Sequence, residues 1–149
     1  MYLLDSCAVI AFLMQEEGFE SVEACIATGE CRVLTINYME IYLDLLRRPE
    51  LGILHQTAEL ERFFRVTEIP VIESIPVTVA RIAAERKLEV TNSRDEHGRK
   101  RTISWTDCLV YAFAEENGLT LVTSDGEFSY LTQIHPNVNV QFFKQPGTR

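Results

Sequence analysis

Four carboxylates occupy comparable places in the chain: Asp5 in LLDSCAV, Glu40 in TINYMEI, Asp107 in SWTDCLV and Asp125 in LVTSDGEF. Each lies at, or one helical turn beyond, the end of a short apolar run or the start of a helical one. Carboxylates gathered in a small space repel one another and raise each other's pKa unless a cation sits among them. Hard divalent ions such as Mg²⁺ or Mn²⁺ prefer oxygen ligands, and Mg²⁺ keeps several of its waters. None of the four candidate ligands is His or Cys, which argues against zinc. A hard cation among carboxylates lowers the pKa of a bound water and neutralises charge on a phosphate, so the chemistry implied is phosphodiester hydrolysis.

Three of the acids also have an ordinary structural explanation. Glu40 follows Asn37 by three positions and Asp107 follows Ser104 by three, so each could complete a capping box at a helix start. Asp125 in Ser124-Asp125-Gly126 could be a turn residue. Asp5 is harder to explain away, because it follows three apolar residues of a strand that should be buried, where an unpaired carboxylate is costly.

The elements that must position these acids alternate in type. Short β-rich runs at residues 2–4, 32–36, 69–75, 120–123 and 138–143 are separated by stretches of helical spacing at 8–14, 19–27, 38–46, 57–64, 77–88 and 105–116. Strands joined by helices imply crossovers and a mostly parallel sheet covered on both faces. Pro76 precedes a helix start at Val77, and Asn117-Gly118 reads as a helix C-cap. Residues 89–102 are polar and read as a long exposed loop. In an open parallel sheet, ligands bind beyond the carboxyl ends of the strands, where the connectivity reverses. A helix that crosses back begins on that same edge, so all four acids are expected there.

Composition sets the class. The chain has 149 residues and a formal charge of −8 from 14 Lys plus Arg and 22 Asp plus Glu, an odd balance for a protein that handles nucleic acid. With 46% hydrophobic and 24% charged residues and no linker-like or repetitive tract, one globular domain is expected. The apolar run at residues 7–14 lacks a basic flank and falls far short of the roughly 20 residues that span a bilayer, so a cytoplasmic protein is expected. Cys7, Cys25, Cys31 and Cys108 show no CxxC spacing and read as free thiols.

The positive charge is unevenly placed. Residues 81–101 hold seven Lys plus Arg against four acids, half of all the bases in the chain. Arg99, Lys100 and Arg101 come shortly before Asp107, where they could hold phosphates or simply solvate a loop. His55, His97 and His135 share no evident site. Trp105, Cys108, Leu109, Ala112 and Phe113 follow helix-packing spacing and read as core, whereas Tyr111 could face either the site or the core.

At these motifs the sequence resembles the PIN domain family, in particular the VapC-type toxins of toxin-antitoxin pairs. LLDSCAVIAFL resembles the opening strand, acid, hydroxyl and apolar helix. TINYMEIYLDLLRR resembles the second motif, ending in Arg47 and Arg48, and ISWTDCLVYAFAEENGLTLVTSDGEF resembles the third and fourth, with Phe128 as the buried aromatic. The resemblance implies a three-layer α/β/α sandwich on a five-strand parallel sheet. It implies a Mg²⁺- or Mn²⁺-dependent endoribonuclease with Asp5, Glu40, Asp107 and Asp125 as ligands and catalytic acids, and Ser6 and Ser124 as auxiliary hydroxyls. It further implies a homodimer and a VapB-type antitoxin that covers the site. Two features depart from it: Glu127 stands where many relatives carry Asp, His or Lys, and residues 89–102 are longer than the usual link. A solitary PIN nuclease of RNA processing and a non-catalytic PIN-like scaffold are the alternatives. A response-regulator receiver would need its acid after the third strand, where Ile75-Pro76 stands. A haloacid-dehalogenase-like phosphatase would need Asp-x-Asp where Asp5 is followed by Ser6 and Cys7.

Overall fold

The computed structural model describes residues 1–48, 53–95 and 97–144. Five parallel strands form one sheet in the order β3-β2-β1-β4-β5, with β1 Tyr2–Leu4, β2 Cys31–Leu34, β3 Val71–Ile72, β4 Thr120–Thr123 and β5 Val140–Phe142. Among the described residues, seven helices cover it: α1 Ser6–Met14, α2 Phe19–Ile26, α3 Thr35–Leu46, α4 Ile53–Thr67, α5 Val77–Asn92, α6 Trp105–Asn117 and α7 Phe128–Ile134.

The alternation of strand side chains accounts for the three layers. Leu3, Leu34 and Leu121 join one core with residues of α5, α6 and α7. Their neighbours Leu4, Val33 and Val122 join a second core with residues of α1, α2, α3 and α4. Strand β1 is therefore buried on both faces and pairs on both edges, Leu3 standing opposite Arg32 of β2 and Leu121 of β4. The chain passes from β1 first to the β2 side and later to the β4 side. Connectivity reverses at β1, and the crevice expected of a doubly wound sheet opens beyond Leu4 and Thr123.

The start signal at Pro76 and the stop signal at Gly118 act as read. Pro76 is the N-cap of α5, and Gly118, at φ 62°, closes α6 with its N–H directed at the carbonyls of Ala114 and Glu115. All four cysteines are free thiols, and among the described residues no helix is long and apolar enough to cross a membrane.

Several boundaries differ from the sequence expectation. The second strand ends at Leu34 rather than at residue 36, and α3 starts at once at Thr35. Asn37 is consequently inside the first turn of α3 and does not cap it. The third strand shrinks to two residues because it pairs only with β2 at the sheet margin. Helix α4 is longer than its apolar spacing indicated, and α7, too short for a periodic signal, was not foreseen. Residues 89–92 of the expected loop continue α5. Beyond them, Arg94 and Lys100 form an antiparallel bridge around a turn in which the Asp95 carboxylate accepts the N–H groups of His97 (2.9 Å) and Arg99 (2.8 Å). The segment is thus a tight hairpin closed by a side chain, and a polar composition by itself did not distinguish that from an open loop.

Candidate functional site

Asp5 stands at the turning point from β1 into α1. It is the N-cap of α1, with its Oδ1 accepting the Ser6 N–H at 2.7 Å, and its own N–H continues the sheet ladder to the Val122 carbonyl. Only 4% exposed, the carboxylate is met from three other directions. Asn37 Nδ2 donates to Oδ1 at 3.0 Å, while Thr123 Oγ1 (2.8 Å) and Cys7 Sγ (3.2 Å) donate to Oδ2. Burial pushes the Asp5 carboxyl up to about 6, and the nearby charge of Asp107 adds to the rise while the Thr123, Cys7 and Ser6 donors oppose it. The Cys7 thiol is driven well above its ordinary range by the same burial and by Asp5, so it acts as a neutral donor and not as a thiolate.

The remaining acids arrive from both halves of the fold. Glu40, one turn into α3 and half-buried, has its carboxyl raised by desolvation and by Asp107, against hydrogen bonding from the Ser6 and Thr106 hydroxyls. Asp107 completes the capping box of α6: its N–H donates to Ser104 Oγ at 2.9 Å, and its Oδ2 accepts the Ser104 N–H and hydroxyl at 3.2 and 2.5 Å. Desolvation raises the Asp107 carboxyl, the Ser104 bonds hold it down, and Asp125 raises it. Asp125, two residues past β4, donates its N–H to Thr123 Oγ1 at 3.0 Å and accepts the Glu127 N–H on Oδ1 at 2.8 Å.

The sheet therefore brings the four acids to one edge, with Asp107 as the common neighbour: its charge is felt at Asp5 and Glu40, and it feels that of Asp125. Glu127 joins them, its carboxyl raised by burial, then by Asp125 and Asp107. The structural role of Asp107 and its place in this cluster coexist, since the capping box engages only one of its carboxylate oxygens. Asp125 likewise closes a turn with one oxygen. The capping box expected of Asn37 and Glu40 does not form.

Among the described residues, no group of three His, Cys, Asp or Glu side chains is arranged to hold a metal ion. The donor chemistry nonetheless suits a hard, hydrated cation. The acids are oxygen donors held in mutual repulsion, and beside Asp5 the buried Oδ1 of Asn37 is an acceptor without a partner among the described residues, suited to an ion's coordinated water. Ser6 lies between the acids, its hydroxyl 3.4 Å from Asp5 Oδ1 and in reach of Glu40. Ser124, by contrast, directs its N–H at Cys7 Sγ (3.2 Å) and approaches the thiol, not a carboxylate.

Asn37, Thr123 and Lys87 also belong to this site; in the sequence Asn37 reads only as a helix cap, and Thr123 and Lys87 carry no signal of their own. Thr123 bridges Asp5 and Asp125 as the last residue of β4. Lys87, from α5, donates to the Ile103 carbonyl just before α6 and holds down the carboxyls of Asp107 and Glu127. A lone Lys in an amphipathic helix looks like surface charge until α5 is packed along α6.

The basic run is divided. Arg99 pairs with Asp95 at 2.8 Å, Lys100 is exposed on the hairpin, and the Arg101 guanidinium lies 4.6 Å from the centre of the Tyr130 ring. Asp95, His97, Arg99, Arg101, Tyr130 and Gln133 line a cleft of about 340 Å³. Tyr111 is core, fully buried with its hydroxyl on the His135 carbonyl, as are Cys108, Ala112 and Phe113. Trp105 is not core but 59% exposed, because it opens α6 at the helix end, ahead of the packed turns.

The model of the PIN domain matches residues 2–133. Among curated proteins none matches the chain. The fold is similar to that of VapBC2 from Rickettsia felis bound to a DNA fragment from its promoter, at TM-score 0.71 and 16% identity, over 96% of this chain and 98% of the other. It is also similar to DNA-bound VapBC from Salmonella typhimurium, at TM-score 0.67 and 16% identity over 96% and 98%. A toxin-antitoxin complex from Klebsiella pneumoniae gives 0.66 and 14% over 97% and 99%. With the family match running from β1 through α7 and taking in all four acids on one sheet edge, the chain belongs to the PIN domain family.

Proposed function

We propose that this PIN domain is a metal-dependent endoribonuclease and the toxin of a VapBC-type toxin-antitoxin pair. PIN domains are generally nucleases, and the observation that carries the reading is the coupling of Asp107 to Asp5, Glu40 and Asp125 at the sheet's switch point. Repulsion among these neighbouring carboxylates, one buried and the others partly so, is a standing cost in the free protein, and a divalent cation relieves it. Asp5, Asp107 and Asp125 hold the ion, and Glu40 holds it or accepts a proton from the attacking water. A bound Mg²⁺ or Mn²⁺ supplies a water of lowered pKa and neutralises charge on the scissile phosphate. Thr123, Asn37 and Ser6 fix the Asp5 rotamer, and Arg99, Lys100 and Arg101 draw the RNA backbone toward an otherwise acidic protein.

The solved structures similar in fold include toxin-antitoxin complexes, which supports a VapB-type antitoxin as partner; a homodimeric arrangement and a cytoplasmic setting belong to the same proposal. The test is cleavage of RNA with added Mg²⁺ or Mn²⁺. Asp5→Asn and Glu40→Gln should each lower the rate by at least about 100-fold, and equal cutting by Asp5→Asn would show the site to be misassigned. Co-purification with the product of the neighbouring gene separates a toxin from a solitary nuclease of RNA processing. Calorimetry separates both from a non-catalytic scaffold, which should bind no Mn²⁺ through these carboxylates.

A further inference from the structure

Trp105 is the only tryptophan of the chain and one of its most exposed large apolar residues, at 59%. It occupies the first position of α6, between the capping residue Ser104 and two site residues, Thr106 beside Glu40 and Asp107 itself. Exposing an indole there forgoes a large burial term, whereas the other tight-packing positions of α6 are filled by Cys108, Ala112 and Phe113. The ring is not left to itself on both sides. Lys87 Nζ lies 5.7 Å from its centroid, over one face, and is anchored by its hydrogen bond to the Ile103 carbonyl. Lys87 is also the cation nearest in effect to Asp107 and Glu127. One ammonium therefore borders both the indole and the acidic cluster.

We propose that Trp105 and Lys87 form a nucleotide-binding step at the edge of the acidic site: an unpaired base of the RNA strand stacks on the open face of the indole, and its phosphate faces the Lys87 ammonium. The chemistry matches both partners. Every base offers a π face to an aromatic side chain, and stacking of this kind is tolerant of sequence. The Lys87 cation beside the indole draws the anionic strand past carboxylates that would otherwise repel it. The step selects single strands, because a base in a duplex is already stacked. This inference deepens the ribonuclease reading of the site and rests on it for the identity of the strand.

Because Trp105 is the only tryptophan, its emission reports this contact directly. In stopped-flow mixing with Mg²⁺, a ten-residue single-stranded RNA should quench the emission saturably, and the same RNA in a duplex or an abasic oligomer of equal length should quench it little. Trp105→Ala should raise KM for RNA cleavage about tenfold with kcat changed less than twofold, and Trp105→Phe should restore most of the loss. Lys87→Met should lower the slope of log affinity against log salt by about 0.7, the share of one phosphate contact on a single strand. RNA cleavage with an emission that RNA leaves unchanged overturns the step and spares the ribonuclease reading. Quenching by RNA without any cleavage does the reverse. Emission that depends on protein concentration and not on RNA assigns Trp105 to a contact between copies of the chain and overturns the step.

Discussion

Asn37 Nδ2 donates to Asp5 Oδ1 over 3.0 Å, joining two buried side chains 32 positions apart across the end of β1 and the first turn of α3. The amide orientation is dictated by the carboxylate, since the reverse would set two acceptors against each other. Asn37→Ala should cost about 1–3 kcal/mol of stability in denaturant titration at pH 7, the usual penalty for stripping a donor from a buried acceptor. Asn37→Asp should cost more, because a second carboxylate would face Asp5, and lowering the pH to 5 should recover part of the difference. An Asn37→Asp protein as stable as wild type at pH 7 would show that the two groups are not in contact.

Asp5 gives the fold a pH dependence of definite sign. Its carboxyl titrates at about 6 in the folded chain against 3.8 in the unfolded one. Between those values the folded state holds a proton that the unfolded state has lost, so stability falls as pH rises through the window and levels off above it. Asp5→Asn keeps an equally good N-cap for α1 and removes this dependence. In metal-free buffer the variant should therefore gain roughly 2–3 kcal/mol on the wild type between pH 4 and pH 7. Parallel stability curves for the two proteins would refute the assigned desolvation.

Divalent metal should offset that gain. An ion that binds only the folded site at 100 times its Kd adds about 2.7 kcal/mol, a Tm increase of about 5–10 °C for a domain this size. Wild type should show this increase with Mn²⁺ in scanning calorimetry, and Asp5→Asn should not. The increase should shrink at pH 5, because the carboxyls of Asp5, Glu40 and Asp107 are all raised and protons compete with the ion. An equal increase in both proteins would place the ion elsewhere.

Gly18 ties the start of α2 to Phe143, the residue just past β5. Its φ is +85°, and a Cβ there would stand 2.5 Å from the Phe143 carbonyl oxygen. Gly118 also has positive φ, at +62°, but nothing lies within 4 Å of its Cβ position. Gly118→Ala should thus cost about 1 kcal/mol, the backbone term alone, and Gly18→Ala at least about 2 kcal/mol. Equal losses in thermal unfolding would mean that the backbone at Phe143 yields without cost.

Most of the architecture was legible along the chain because it is encoded locally. The strand and helix alternation, the Pro76 and Gly118 boundaries and the capping box of Ser104 with Asp107 depend on spacing and on groups within a few residues. The placement of Asp5, Glu40, Asp107 and Asp125 on one edge follows from the same alternation, since every strand of a parallel sheet ends on the same side. What local pattern left open is which side chains meet there. Asn37 looked like a cap and became a ligand of Asp5 because α3 begins at Thr35, directly after β2. Thr123 reaches Asp5 across 118 positions only because β1 lies between β2 and β4. Trp105 fits a core stripe by spacing, yet it stands exposed beside Lys87 at the end of a helix whose packing begins one turn later. Periodicity assigns a residue to a face of its own element; the order of strands and the crossing of α5 with α6 assign the neighbour it finds there.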